Sequence, residues 1–230
     1  MKTIKEVLGE FLKEQQVRLK PKTYRGYEEA MDLFEHCLND YAYQNLDEKD
    51  SKLFDTLFNE KNKQFCEIFG PEKIGFPEIA EFLDYFMIRK VMGSKELMKT
   101  VGRVMKKFVR WMKEKEYMGE EKYENTAEMV DELGEQLPKV EELSELIYDY
   151  IQDNPVEGFT ETTEGYFTVT KIEPGKLWLE EYVGPGEEIG PVSVSTEISS
   201  KCKEGWVICL ELGKTKRGWE MLESGNVYPE

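Results

Sequence analysis

A chain that keeps its helical and its strand-forming segments apart is expected to be α+β with segregated domains, and three observations predict that here. To about residue 153 the apolar residues recur every three or four positions, the helical period; after Asn154-Pro155 they recur every two, the strand period. Charge is distributed unevenly. Residues 1–118 carry 22 Lys+Arg against 21 Asp+Glu, residues 119–165 carry 2 against 15, and residues 166–230 carry 7 against 11. Hydrophobic residues make up 40% and aromatics 12% of 230 residues, enough to build cores in two small domains. These observations predict an all-α bundle of four-helix type with an insertion over residues 1–118. An acidic helical connector is expected over 119–155, and a small β-barrel, SH3-like or OB-like, over 156–230.

The elements follow in order. Ile4, Val7, Leu8, Phe11 and Leu12 have helical spacing, and Thr3 with Glu6 makes a capping box, so a helix is expected from Ile4 to Val17. Lys20-Pro21 turns into a second helix, in which Tyr24, Tyr27, Met31, Phe34, Leu38 and Tyr41 line one face. Residues 42–75 read as the insertion: a short helix holds Leu53, Phe54, Leu57 and Phe58, Phe65, Ile68 and Phe69 extend it, and Gly70-Pro71 ends it. Pro77 starts a helix with Ile79, Phe82, Leu83, Phe86 and Met87 inward. Gly93 breaks it, and Ser94 caps the next helix, which runs to about Tyr117. In the acidic stretch, Pro138 is expected to divide two short helices, one with Met129, Leu133 and Leu137 as its seam, the other with Leu143, Leu146, Ile147 and Tyr150.

Beyond Pro155, Phe167 and Val169 alternate with polar neighbours, as do Leu177 and Leu179, with Pro174-Gly175 as the turn between. Residues 191–194 form a third strand, and Ser195 or Thr196 caps a short helix. Trp206–Leu212 and Trp219–Leu222 are two further strands joined by a Lys214–Gly218 hairpin. Gly184-Pro185-Gly186 and Gly213 are turn punctuation; no Walker-type phosphate loop is present.

Composition excludes several classes. No apolar run approaches the ~20 residues that span a bilayer, and the first residues lack the apolar core of a signal peptide, so a cytoplasmic protein without membrane contact is expected. The four cysteines (Cys37, Cys66, Cys202, Cys209) form no C-x-x-C pair, and His36 is the single histidine. That argues against a zinc site and for free buried thiols. With one histidine, no nucleophile–base pair and no carboxylates placed for proton transfer, no catalytic constellation and no cofactor is expected.

The helix at 94–117 carries the most chemical information. At 100° per residue, Lys95, Lys99, Arg103, Lys106, Arg110 and Lys113 fall within an arc of about 80°. Leu97, Val101, Val104, Met105, Phe108, Trp111 and Met112 take the opposite side. A cationic stripe of this kind can track a phosphate backbone, each neutralised phosphate releasing a counterion; equally, it can be a solvated helix face. A second cluster, Arg18, Lys20, Lys22 and Arg25, surrounds the start of the second helix.

The string Arg18-Leu19-Lys20-Pro21-Lys22-Thr23-Tyr24-Arg25-Gly26-Tyr27 resembles the opening of the core-binding, SAM-like domain of tyrosine recombinases (phage integrases). The first helix, with Glu10-Phe11-Leu12, is similar to that domain's first, and Lys107-Phe108-Val109-Arg110-Trp111-Met112-Lys113-Glu114 to its last. The resemblance covers about residues 3–118. It implies a four-helix bundle that holds double-stranded DNA through its second and last helices, the two that carry basic clusters here. The chain departs from the family at Lys20, where Ser or Thr is usual, in its insertion, and in lacking the catalytic domain: residues 119–230 hold one arginine, Arg217, and no histidine.

The expected role is therefore a non-catalytic accessory or regulatory DNA-binding protein; the alternative is a protein-interaction adaptor without nucleic acid. A protein partner could use the acidic connector or the barrel. The connector itself has three readings: solvated helix surface, a cover for the basic face, or a lure for a basic partner. Trp178, Trp206, Trp219, Tyr166, Tyr182 and Tyr228 are expected mainly as barrel core, with a stacking platform as the alternative. Lys214-Thr215-Lys216-Arg217 reads as a solvated hairpin tip.

Overall fold

In a computed structural model that describes residues 2–184, 186 and 188–229, the chain forms two compact units, Met1–Glu135 and Gln136–Glu230. The first is helical. The second is built on a mixed five-stranded sheet.

The first unit begins with α1 (Ile4–Arg18). Glu6 N–H donates to the Thr3 hydroxyl and Thr3 N–H to the Glu6 carboxylate, so the capping box closes as the residue types require. α2 (Pro21–Tyr41) starts on Pro21 and buries Tyr27, Met31, Phe34 and Leu38. α3 (Glu48–Lys61) does not continue into Phe65: Asn62 adopts a left-handed conformation (φ 51°) that ends it, and Phe65–Ile68 is a separate turn, α4. The helix expected from Pro77 is continuous from Phe76 to Arg89. Its middle, Glu81–Phe86, is π-helical and separates α5 (Phe76–Ala80) from α6 (Met87–Arg89). α7 (Lys95–Glu114) is capped by the Ser94 hydroxyl, which accepts from Leu97 N–H.

Aromatic rings from four helical segments meet in one cluster. Phe11 of α1 lies 5.2 Å from Phe108 and 5.3 Å from Trp111 of α7, edge to face. Phe34 of α2 lies 5.9 Å from Phe108 and 5.1 Å from Phe82 of the π-helical turn. Rings at these separations contribute about 0.5–1.5 kcal/mol per pair beyond their burial. The end of α7 is tied to α1 by polar contacts: Trp111 Nε1 donates to Glu14 at 2.9 Å, and the Tyr117 hydroxyl donates to Glu10 at 2.8 Å.

The expectation that Pro138 would separate two helices is overturned. Residues Glu120–Asp153 form a single helix, α8, with Pro138 inside it. Proline has no N–H to donate to the carbonyl four residues back, and its ring crowds that carbonyl, which usually costs about 3 kcal/mol. Here the neighbouring Leu137 and Val140 are 1% and 2% exposed. Apolar burial on both sides of the proline offsets the missing bond.

In the second unit, β1 (Glu161–Glu173) pairs antiparallel with β2 (Lys176–Glu181) and with β4 (Val207–Thr215). β3 (Ile189–Ser193) pairs with β2 and runs parallel to β5 (Gly218–Tyr228), which pairs with β4. The hydrogen-bonded order is therefore β1-β2-β3-β5-β4, and it returns to β1. Strand alternation turns Phe167, Val169, Leu177, Leu179, Leu210 and Leu212 into the core. Gly175 takes the left-handed turn between β1 and β2 (φ 77°), where a side chain would be strained. Of the Gly184-Pro185-Gly186 turn, Pro185 lies outside the described residues. The short helix is α9 (Thr196–Lys201), capped by Ser195. The C-terminal half of α8 belongs to this unit: Leu143 and Ile147 are fully buried, Ser144 donates to the Gly225 carbonyl at 3.2 Å, and Glu142 pairs with Lys201 at 2.6 Å.

Candidate nucleic-acid interface

The basic stripe lies on the outer side of α7 because its apolar residues are used up by the core. Met98, Val101, Val104, Met105, Phe108 and Met112 are buried, whereas Lys99, Arg103, Lys106 and Arg110 are exposed and Lys95 and Lys113 are partly exposed. From Lys95 to Lys113 the six cations extend over 18 helical steps, ~27 Å at 1.5 Å per step.

The second cluster joins this stripe through a close helix crossing. A Cβ placed on Gly26 of α2 would stand 2.9 Å from the Thr100 methyl of α7, so the Thr100 side chain packs directly against the α2 backbone there. Eight residues further along each, Phe34 meets Phe108. Contacts that advance by the same step on both helices mean that α2 and α7 run in the same direction. Their first turns therefore lie at one end of the unit. Lys22 and Arg25 lie within one turn of Gly26 on α2, and Lys99 and Arg103 within one turn of Thr100 on α7; Arg103 Nη2 donates to the Thr100 hydroxyl at 3.4 Å. Arg18, Lys20, Lys22 and Arg25 are all exposed. Among the described residues, none of these four, nor Lys99, Arg103 or Arg110, has a carboxylate within ion-pair distance.

The C-terminal half of the stripe has a different environment, one the sequence reading did not resolve. Within the first unit, the start of α8 lies against α7. Lys106 pairs with Asp131 at 2.7 Å, and Lys113 pairs with Glu120. The Lys113 ammonium also sits 4.4 Å from the centre of the Tyr123 ring. Its hydrogen bond to Glu120 raises the Lys113 pKa above the usual lysine value. A small cavity of about 40 Å³ between Lys106, Arg110, Tyr123 and Asp131 marks the seam. A signal for this pairing exists in the sequence: Glu120, Glu124, Asp131 and Glu135 share one face of α8 at helical spacing, a counterpart to the stripe on α7.

The remaining candidates separate clearly. Burial pushes the Cys37 and Cys66 thiols well above their usual range and the Cys202 thiol up to about 12, which makes them inert rather than nucleophilic. Among the described residues no group of three or more His, Cys, Asp or Glu is placed to hold a metal ion, and no helix is long and apolar enough to cross a membrane. Trp206 is core, as expected. Trp178 and Trp219 are half-buried under Lys171 and Lys214, and exposed Tyr166 of β1 accepts at its carbonyl from the N–H of Tyr182, also exposed and just past the end of β2. No model of a protein family, no curated protein and no solved structure matches this chain.

Proposed function

We propose that the protein is a non-catalytic, accessory or regulatory DNA-binding protein that contacts the duplex backbone with the start of α2 and the outer face of α7. The observation that carries this reading is the Gly26–Thr100 crossing. It links the basic start of α2 to the basic stripe of α7, some 70 residues away in sequence, and there Lys22, Arg25, Lys99 and Arg103 are exposed with no ion pair among the described residues. Exposed cations left without carboxylates attract polyanions, and the affinity comes from counterion release. The resemblance to the core-binding domain of tyrosine recombinases points to the same two helices. The five-stranded sheet belongs to this reading as a small barrel. Its ring of pairings, with α9 between β3 and β4 and a parallel β3–β5 contact, favours the OB-like over the SH3-like form.

The adaptor alternative has its own support in α3. Leu53 and Phe58 are 45% and 41% exposed there, and Tyr43 stacks on Phe54 with ring centres 5.5 Å apart. An apolar patch of this kind suits a protein partner.

The test is fluorescence anisotropy of a labelled duplex with the full chain across a salt series. Salt-sensitive binding that disappears in Lys99→Glu/Arg103→Glu is the expected result. Absence of binding at low salt would remove the DNA reading and leave the adaptor.

A further inference from the structure

We infer that the acidic edge of α8 sets the limit of the nucleic-acid footprint, confining the phosphate backbone to α2 and the N-terminal half of α7. The inference rests on the DNA-binding reading above and specifies how that site is bounded.

Two features make α8 a fixed boundary. The first is packing. Thr126, Met129 and Val130 of α8 are buried within the first unit. Lys122 donates to the Glu72 carbonyl at 2.8 Å. Gly134 meets Gly102 of α7 so closely that a Cβ on Gly102 would be 2.7 Å from the Gly134 oxygen. A helix held this way is part of the unit's core and does not lift off to expose the stripe. The second is charge. Asp131 and Glu120 are half-exposed carboxylates placed against Lys106 and Lys113, and Glu124 and Glu135 continue the same face.

The strength of the pairs decides what kind of boundary results. Half-exposed ion pairs contribute about 0–1 kcal/mol, too little to immobilise the lysines. What they do is cancel charge. A phosphate approaching Lys106 meets Asp131 at nearly the same distance, so no counterion release is gained there. Toward the start of α7, Lys99 and Arg103 carry no such compensation. The six-cation stripe is thus electrostatically shorter than its sequence, and DNA is held at one end of it.

The experiment measures duplex binding by the full chain, its Glu120→Gln/Asp131→Asn variant and a control, Asp55→Asn/Glu60→Gln. The control removes two exposed acids of α3 and matches the net-charge change. Uncovering Lys106 and Lys113 is expected to tighten binding about three- to tenfold at low salt and to steepen the slope of log K against log[salt] by about 2, one unit per added phosphate contact. The control is expected to leave the slope unchanged. If the wild type binds and the α8 variant shows the same affinity and slope, the boundary is refuted while the DNA reading stands. The same holds if the control tightens binding as much as the α8 variant does. If neither the wild type nor the α8 variant binds at low salt, the DNA reading fails and takes this inference with it. Thermal melts of all three chains check that the fold is kept.

Discussion

Gly102 of α7 and Gly134 of α8 cross at backbone contact: a Cβ on Gly102 would lie 2.7 Å from the Gly134 carbonyl oxygen and 2.9 Å from its Cα. Neither atom can rotate away as a side chain would. Alanine is favoured over glycine in a helix by about 0.8–1 kcal/mol, but overpacking against backbone costs about 1–3 kcal/mol. Gly102→Ala is therefore expected to lower stability. Gly9 on α1 has nothing within 4 Å of its would-be Cβ, and Gly9→Ala is expected to raise it by about 0.5–1 kcal/mol. Melting temperatures moving in opposite directions for the two variants would check the crossing; a stabilising Gly102→Ala would contradict it.

Lys99 and Arg103 are expected to matter more for DNA than Lys106 and Lys113, although all four belong to one stripe. Lys99→Ala/Arg103→Ala should lower the salt slope by about 2, and Lys106→Ala/Lys113→Ala by clearly less, because Asp131 and Glu120 already compensate those charges. Equal losses would show that the ion pairs do not act on the bound duplex.

Three glutamates stand directly opposite one another across the sheet. Glu164 on β1 is in register with Glu211 on β4, and Glu211 with Glu223 on β5. Like charges at this spacing repel, and none of the three has a cationic partner among the described residues. Glu211→Gln removes the middle charge and is expected to stabilise the protein by about 0.2–1 kcal/mol. Denaturant midpoints should show the gain at low ionic strength and lose it at high, since salt screens exposed charges.

Glu141, in the part of α8 that belongs to the second unit, has its pKa raised by burial and, second, by Glu145. A carboxyl whose folded pKa exceeds its unfolded value near 4.3 favours folding only while protonated. That contribution is present below the unfolded value and is lost as pH rises through the folded one. Glu141→Gln should therefore melt higher than the wild type at neutral pH and at the same temperature as it below about pH 4. A gain that is the same at both pH values would point to a packing effect instead.

Signals confined to a few neighbouring residues were legible in the sequence. The Thr3–Glu6 box, the Ser94 and Ser195 caps and the Pro174-Gly175 turn all form as their residue types require, because each closes within three or four residues. The division of α7 into apolar and basic faces was equally readable, since helical geometry alone sets which residues share a side. Long-range pairing was not. Pro138 reads locally as a break, yet α8 continues through it, because burial around Leu137 and Val140 outweighs the lost bond. Asn62 does break a helix, where the apolar pattern runs on into Phe65. The same limit applies to the candidate site. Six cations on one face can be counted in a sequence, but Lys106 meets Asp131 only where α8 comes against α7, and the start of α2 is joined to α7 only through the contact of Gly26 with Thr100. A charge acts through its neighbours in space, and those neighbours come from packing between residues far apart in the chain.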